Sequence, residues 1–155
     1  MSKFITSLQM MGYIIARCLE LKVPNVNITK LQKLMYCCYG ACLAKYHFRI
    51  CDQNPEAWKF GPVFPQTLDS WDLYKMGFSA LESDKVREYL PDHIAQLIDT
   101  TLKYFGKWPA SRLVDWTHLP NSPWSEISKN GKELRIQIPD SLIIEYFNKH
   151  VFKQS

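Results

Sequence analysis

The chain reads as a mainly α-helical domain of about six or seven helices with one minor, short β element. Three observations point there. Apolar side chains recur at three- and four-residue spacing through most of the 155 residues. Start and stop signals (Ser, Thr or Pro before the apolar runs, Gly or Pro after them) fall where that periodicity begins and ends. Alternation with a period of two is sustained only from Leu134 to Ile138.

Ser7 to Leu21 sets Leu8, Met11, Ile15, Cys18 and Leu19 at helical spacing, with Ser7 as the expected cap and Pro24 as the stop. Thr29 and Gln32 form a capping-box pattern at the head of the next segment. There Ile28, Leu31, Leu34, Met35, Cys38 and Cys42 line one face. Tyr36, Tyr39, Leu43 and Tyr46 line much of the other. A helix apolar on nearly every side belongs at the centre of a domain. Lys30, Gln32 and Lys33 are expected to keep its start near water.

Residues 47–57 are mixed, and Arg49–Cys51 and Ala57–Phe60 suit short extended pieces in a small hairpin. The stretch Glu56 to Pro65 concentrates Trp58, Phe60, Val63 and Phe64 around a Gly61-Pro62 step. Gly tolerates backbone angles that other residues avoid, and Pro pushes its predecessor out of the helical region. The step is therefore a forced change of direction, with Pro62 suited to the first turn of a following helix. That helix would carry Phe64, Leu68, Trp71 and Tyr74 and stop near Gly77. A rigid corner bearing large rings needs a surface to pack on, and Ile28–Tyr46 is the best candidate.

Ser83–Tyr89 suits one or two helical turns. Pro91 opens a clearer helix whose stripe is Ile94, Leu97, Ile98, Thr101, Leu102 and Phe105, closed by Gly106. Ala110–Thr117 is a shorter one. Ser122-Pro123-Trp124 is a strong start signal, with Ser as cap and Pro at the first helical position. Asn130-Gly131 is a turn, Leu134–Ile138 a short strand, and Asp140–Val151 a final helix presenting Leu142, Ile143, Tyr146 and Phe147.

Length and composition fit one domain spanning residues 1–155. Hydrophobic residues at 46% and charged residues at 22% argue against disorder. Aromatics at 14% are enough to fill a core and leave rings for an interface. The net charge of +4 is mild, and no run of four Lys or Arg occurs, so nucleic acid is not an expected partner. The early apolar run, Met10 to Ala16, is cut by Arg17 and lacks a cleavage site. The apolar stretches are shorter than a bilayer span, so no membrane partner is expected either. Five cysteines without framework spacing suit a reduced, cytoplasmic protein.

The candidate chemistries are weak. Cys38 and Cys42 share a helix face with His47 and Cys51 nearby, but they sit in the most apolar helix, where Cys serves as a small hydrophobe. A cysteine nucleophile, drawn from Cys37, Cys38 or Cys42, with His118 or His47 lacks a local positive environment. Asp69 and Asp72 suit a solvated helix face better than an acid pair. The expectation is no catalytic residue, no metal and no cofactor. An enzyme using Cys and His chemistry stands as an alternative. His118 is expected to end a helix, its ring nitrogens capping backbone groups, with Trp124 filling the core.

Three separated motifs then stand in order: Leu31-Gln32-Lys33-Leu34 with Tyr36 and Gly40; Glu56 through Val63; and Thr117-His118 with Pro123-Trp124. Together they resemble the SocA-like Panacea domain, also met in GepA-like and phage-associated proteins. Ile136 ahead of the Tyr146-Phe147 helix fits that domain's tail. The resemblance runs from about Gly12 to Phe147. Cys37, Cys38 and Cys42 depart from it, standing where aromatic or small residues are more usual.

The resemblance implies a mostly helical antitoxin, often carried on mobile elements, that neutralises a neighbouring toxin by direct binding. As an alternative it implies an adaptor that delivers the toxin to a bacterial protease. It does not name the toxin, because members pair with very different ones. With no extra N-terminal domain, autoregulation through DNA is not expected. The motif residues Trp58, Phe60, Gly61, Pro62, Val63, Thr117, His118, Pro123 and Trp124 are expected to pack together as scaffold, their edge forming part of the partner-binding face.

Overall fold

Helix α2 (Ile28–Tyr46) has no open face along most of its length, and the other elements close round it. The structure is a computed structural model describing residues 4–68 and 80–152. In chain order it contains α1 (Ser7–Glu20), α2, β1 (Glu56–Trp58), β2 (Gly61–Val63), α3 (Pro65–Leu68), α4 (Ala80–Glu88), α5 (Asp92–Phe105), α6 (Ala110–Thr117), α7 (Pro123–Ser128), β3 (Ile136–Gln137) and α8 (Asp140–His150). The mainly helical class holds. Eight helices stand among the described residues, the short α3 being one of them.

Every α2 residue from Lys30 to Ala44 is buried. Helices α5 and α8 flank it, while α1, α6 and β2 cover the remaining sides. The predicted stripe of α5, from Ile94 to Phe105, is buried against it throughout. Each fully buried Leu or Met here contributes about 1.5–3 kcal/mol of transfer free energy. On the α8 side the approach is close: a Cβ on Gly40 would collide with the ring of Phe147. The small residue is therefore what lets the two helices meet.

Two helix starts differ from expectation. Thr6, not Ser7, caps α1: its hydroxyl accepts from Gln9 N–H at 3.1 Å, and Gln9 Oε1 accepts from Thr6 N–H at 2.8 Å. Ser7 lies inside the first turn and is buried. Asn27 caps α2, accepting from Lys30 N–H at 2.8 Å. Asn is a better cap than Thr, and its extended backbone starts the helix ahead of Thr29. Gln32 is thereby freed from a capping box.

The sheet order is β2-β1-β3, antiparallel throughout. The hairpin pairs Trp58 with Gly61 across the two residues Lys59 and Phe60. Those two residues were expected inside an extended piece; they form the turn instead. Pro62 does not open a helix but lies in β2, where an edge strand tolerates its missing N–H. The helix after the corner begins at Pro65. Its expected extension through Trp71 and Tyr74 lies outside the described residues, as do Asp69 and Asp72. Arg49–Cys51 pairs with nothing in the hairpin. Cys51 bridges Ile5 instead.

Candidate functional site

Lys30, Gln32 and Lys33, expected near water, are each 1% exposed. The reason is that other elements roof the start of α2. Lys30 Nζ donates to the Pro24 and Gly106 carbonyls, both at 2.7 Å, tying the loop before α2 to the C-terminal end of α5. A cation suits that end, where helix carbonyls lack partners. Gln32 fastens the aromatic corner. Its Oε1 accepts from Phe64 N–H at 2.9 Å and its Nε2 donates to Thr67 Oγ1 at 2.5 Å. Lys33 lies under the hairpin and donates from Nζ to the Pro62 carbonyl at 3.1 Å. Burial pulls its ammonium down to about 8.

The Gly61 backbone has φ +110, a region open to Gly and strained for other residues. A Cβ there would stand 2.6 Å from Thr117 Oγ1 and 2.7 Å from Lys33 Cε. The hairpin thus meets α2 and the end of α6 at one crowded point. Thr117 Oγ1 donates to the Val114 carbonyl at 2.8 Å. Ser122 Oγ donates to the Thr117 carbonyl at 2.8 Å and accepts from Ser125 N–H at 3.1 Å, so one hydroxyl ends α6 and caps α7. Pro123 follows at the first helical position and is buried.

Trp124 is 7% exposed, and its Nε1–H donates to the Trp58 carbonyl at 2.7 Å. That bond joins the two aromatic segments. The His118 ring lies 3.9 Å from the Trp124 ring, tilted by 31°. His118 was expected to cap through its ring nitrogens. Its backbone N–H does the capping instead, and Nε2 is buried without a hydrogen-bond partner among the described residues. Burial first, and then the Lys33 charge, lower its affinity for a proton and favour the neutral imidazole.

The structure therefore brings together all nine motif residues, with different exposures. Gly61, Pro62, Val63, Thr117, Pro123 and Trp124 are buried, and Trp58 and His118 are half-buried. Phe60 stands out at the hairpin tip, 60% exposed. Trp58 Nε1–H donates to Glu56 Oε1 at 2.9 Å, and the Arg135 guanidinium lies 4.5 Å from the Trp58 ring centroid. Between the hairpin and the start of α2 is an open depression of about 260 Å³, edged by Ile28, Thr29, Lys59, Phe60 and Leu68. Large aromatic rings and Arg are the side chains that most often anchor protein interfaces. Sequence reasoning left Gln32, Lys33 and Arg135 out of the site residues, although Gln32 and Lys33 stand in the first motif. The first two had a signal: a polar residue inside a helix enclosed on every side needs a polar partner.

All five cysteines are free and buried. Burial pushes Cys18, Cys42 and Cys51 up to about 12, and raises Cys37 and Cys38 as well. A nucleophile needs the opposite shift. Among the described residues no three His, Cys, Asp or Glu side chains are grouped to hold a metal ion. Among the same residues no helix is long and apolar enough to cross a membrane.

Fold and site together define a helical domain that holds an aromatic hairpin rigidly and leaves its tip open. The family model described as "Antitoxin SocA-like, Panacea domain" matches residues 31–125, and the chain belongs to that family. It is also 29% identical over 141 residues to Antitoxin SocA of Caulobacter vibrioides (strain NA1000 / CB15N), an alignment covering 82% of this chain and 74% of the relative. No solved structure matches it.

Proposed function

We propose that this protein is an antitoxin that neutralises a cognate protein toxin by binding it directly, in the cytoplasm and without turnover. Membership of an antitoxin family carries the reading. The hairpin edge supports it. Phe60, Trp58 and Arg135 form an aromatic and cationic surface held from behind by Gln32, Lys33 and Trp124. A surface held rigid before binding loses little conformational entropy on docking. The toxin's gene is expected beside this one.

The test is co-expression of the neighbouring reading frame with the wild-type protein and with Phe60→Asp. Because Phe60 is exposed, the substitution should change stability by about 0.5 kcal/mol or less. Protection should be lost while the melting temperature stays. Full protection by a folded Phe60→Asp protein would remove the hairpin tip from the interface. No protection by the wild type would end the antitoxin reading for that pair. Toxin abundance separates plain neutralisation from delivery to a protease: constant toxin supports the first, and falling toxin supports the second.

A further inference from the structure

The opposite end of α2 carries a second concavity, which the hairpin does not touch. Ala41, Leu97 and Phe105 line its depth, with Tyr104, Trp108 and Phe152 beside them, and its volume is about 290 Å³. The rings run on from one another: Phe105 to Trp108 at 5.0 Å, Trp108 to Trp116 at 6.4 Å, and Trp116 back to Phe105 at 5.1 Å between centroids. Tyr104 packs 4.9 Å from Phe105 yet is 61% exposed. Phe105, Trp108 and Trp116 are held on several sides, so the groove exists before anything occupies it.

Charge narrows the choice of occupant. Among the described residues no carboxylate lines the groove. The Arg112 guanidinium lies 3.8 Å from the Trp108 ring centroid, and the Lys45 ammonium lies 5.6 Å from the Phe152 ring centroid. Among the described residues, neither cation has a carboxylate within ion-pair distance. A basic segment would be repelled here, and a wholly apolar one would desolvate the cations without pairing them. A second copy meeting this one face to face would set like charges together. What complements the groove is a large apolar side chain flanked by carboxylates.

We propose that this groove docks an acidic linear segment of another protein, one that carries Phe or Leu between carboxylates. The site is separate from the hairpin edge and stands whether or not that edge binds a toxin.

The probe is a fluorescein-labelled peptide, Asp-Glu-Phe-Asp-Glu-Leu-Glu, followed by anisotropy against the full chain, with a control peptide in which Lys replaces every acid. The acidic peptide should bind saturably and more weakly as salt rises. Affinity should fall at least about tenfold in Arg112→Glu, in Lys45→Glu and in Tyr104→Ser, all exposed positions whose melting temperatures should hold. Binding unchanged in Phe60→Asp would confirm that the two surfaces are distinct. The proposal is overturned by equal binding of the Lys peptide, by no saturable binding, or by affinity indifferent to the three variants. It is also overturned if Arg112→Glu abolishes self-association of the chain, which makes a second copy the occupant. Binding that appears only after residues 153–155 are removed would make the chain's own tail the occupant and would overturn it equally.

Discussion

Replacing Gly61 with Ala puts a methyl group where the hairpin, α2 and α6 meet. The backbone at φ +110 already costs an L-residue about 1–3 kcal/mol. The new Cβ then stands 2.6 Å from Thr117 Oγ1 and 2.7 Å from Lys33 Cε. Neither neighbour yields freely, because Thr117 Oγ1 is bonded to Val114 and Lys33 Nζ to the Pro62 carbonyl. Overpacking of that kind adds about 1–3 kcal/mol. The combined loss is about 2–6 kcal/mol, which for an m-value near 2 kcal/mol/M lowers the urea midpoint by about 1–3 M. Thr117→Ala in the Gly61→Ala background should recover part of the loss, since it removes one of the two clashing atoms. A midpoint that barely moves would mean that the corner is not seated on α2. A double-mutant cycle without coupling would mean that Thr117 is not what it meets.

Two further outcomes follow from the same packing. Trp124→Ala should cost about 3–5 kcal/mol, because it empties a buried site and breaks the bond to the Trp58 carbonyl. Trp58→Ala, at a half-buried ring, should cost clearly less, and equal losses in urea melts would refute the assigned difference. Stability should also fall above about pH 9 under reducing conditions. The folded thiols sit far above their ordinary value of 9.0, so the native state keeps protons that the unfolded chain releases, and rising pH favours unfolding. Lys33, between about 8 and 10.5, and Lys30 in the same direction work the other way, because burial makes their folded ammonium groups deprotonate first. Five thiols at up to about 1.4 kcal/mol per pH unit each outweigh two lysines. A urea midpoint at pH 10 equal to that at pH 7.5 would contradict this.

Much of the fold was legible because it depends on short-range patterning. The stripe of α5, the Ala110–Thr117 helix and the Ser122-Pro123 start all follow from spacing and caps, and the structure has them. So did the docking of the corner on α2, since large rings beside a helix apolar all round have few other places to go. The errors came from tertiary context. Pro62 suits a helix start by local chemistry, but pairing with Ala57 draws it into an edge strand. Lys30, Gln32 and Lys33 look solvated by type. They are buried because the Pro24 carbonyl in the preceding loop, and the Gly106 and Pro62 carbonyls and the Phe64 amide from segments remote in sequence, reach them. Of the candidate site, the grouping of Trp58 with Trp124 was legible. That Phe60 alone stands well clear of the surface was not, because exposure of a turn residue depends on the register of the hairpin.

The enclosure of α2 has a consequence for biosynthesis. Its covering partners α5, α6 and α8 all follow it along the chain, the last of them beginning at Asp140. At about 5–20 residues per second, the ribosome leaves the helix without its final neighbour for several seconds or more. A chain halted before Asp140 is therefore expected to be cut rapidly by a protease that spares a chain released after Phe152. Comparable survival of the two would show that α2 finds shelter earlier. The newborn protein passes through a fragile interval, and its supply in the cell depends on how fast translation outruns degradation.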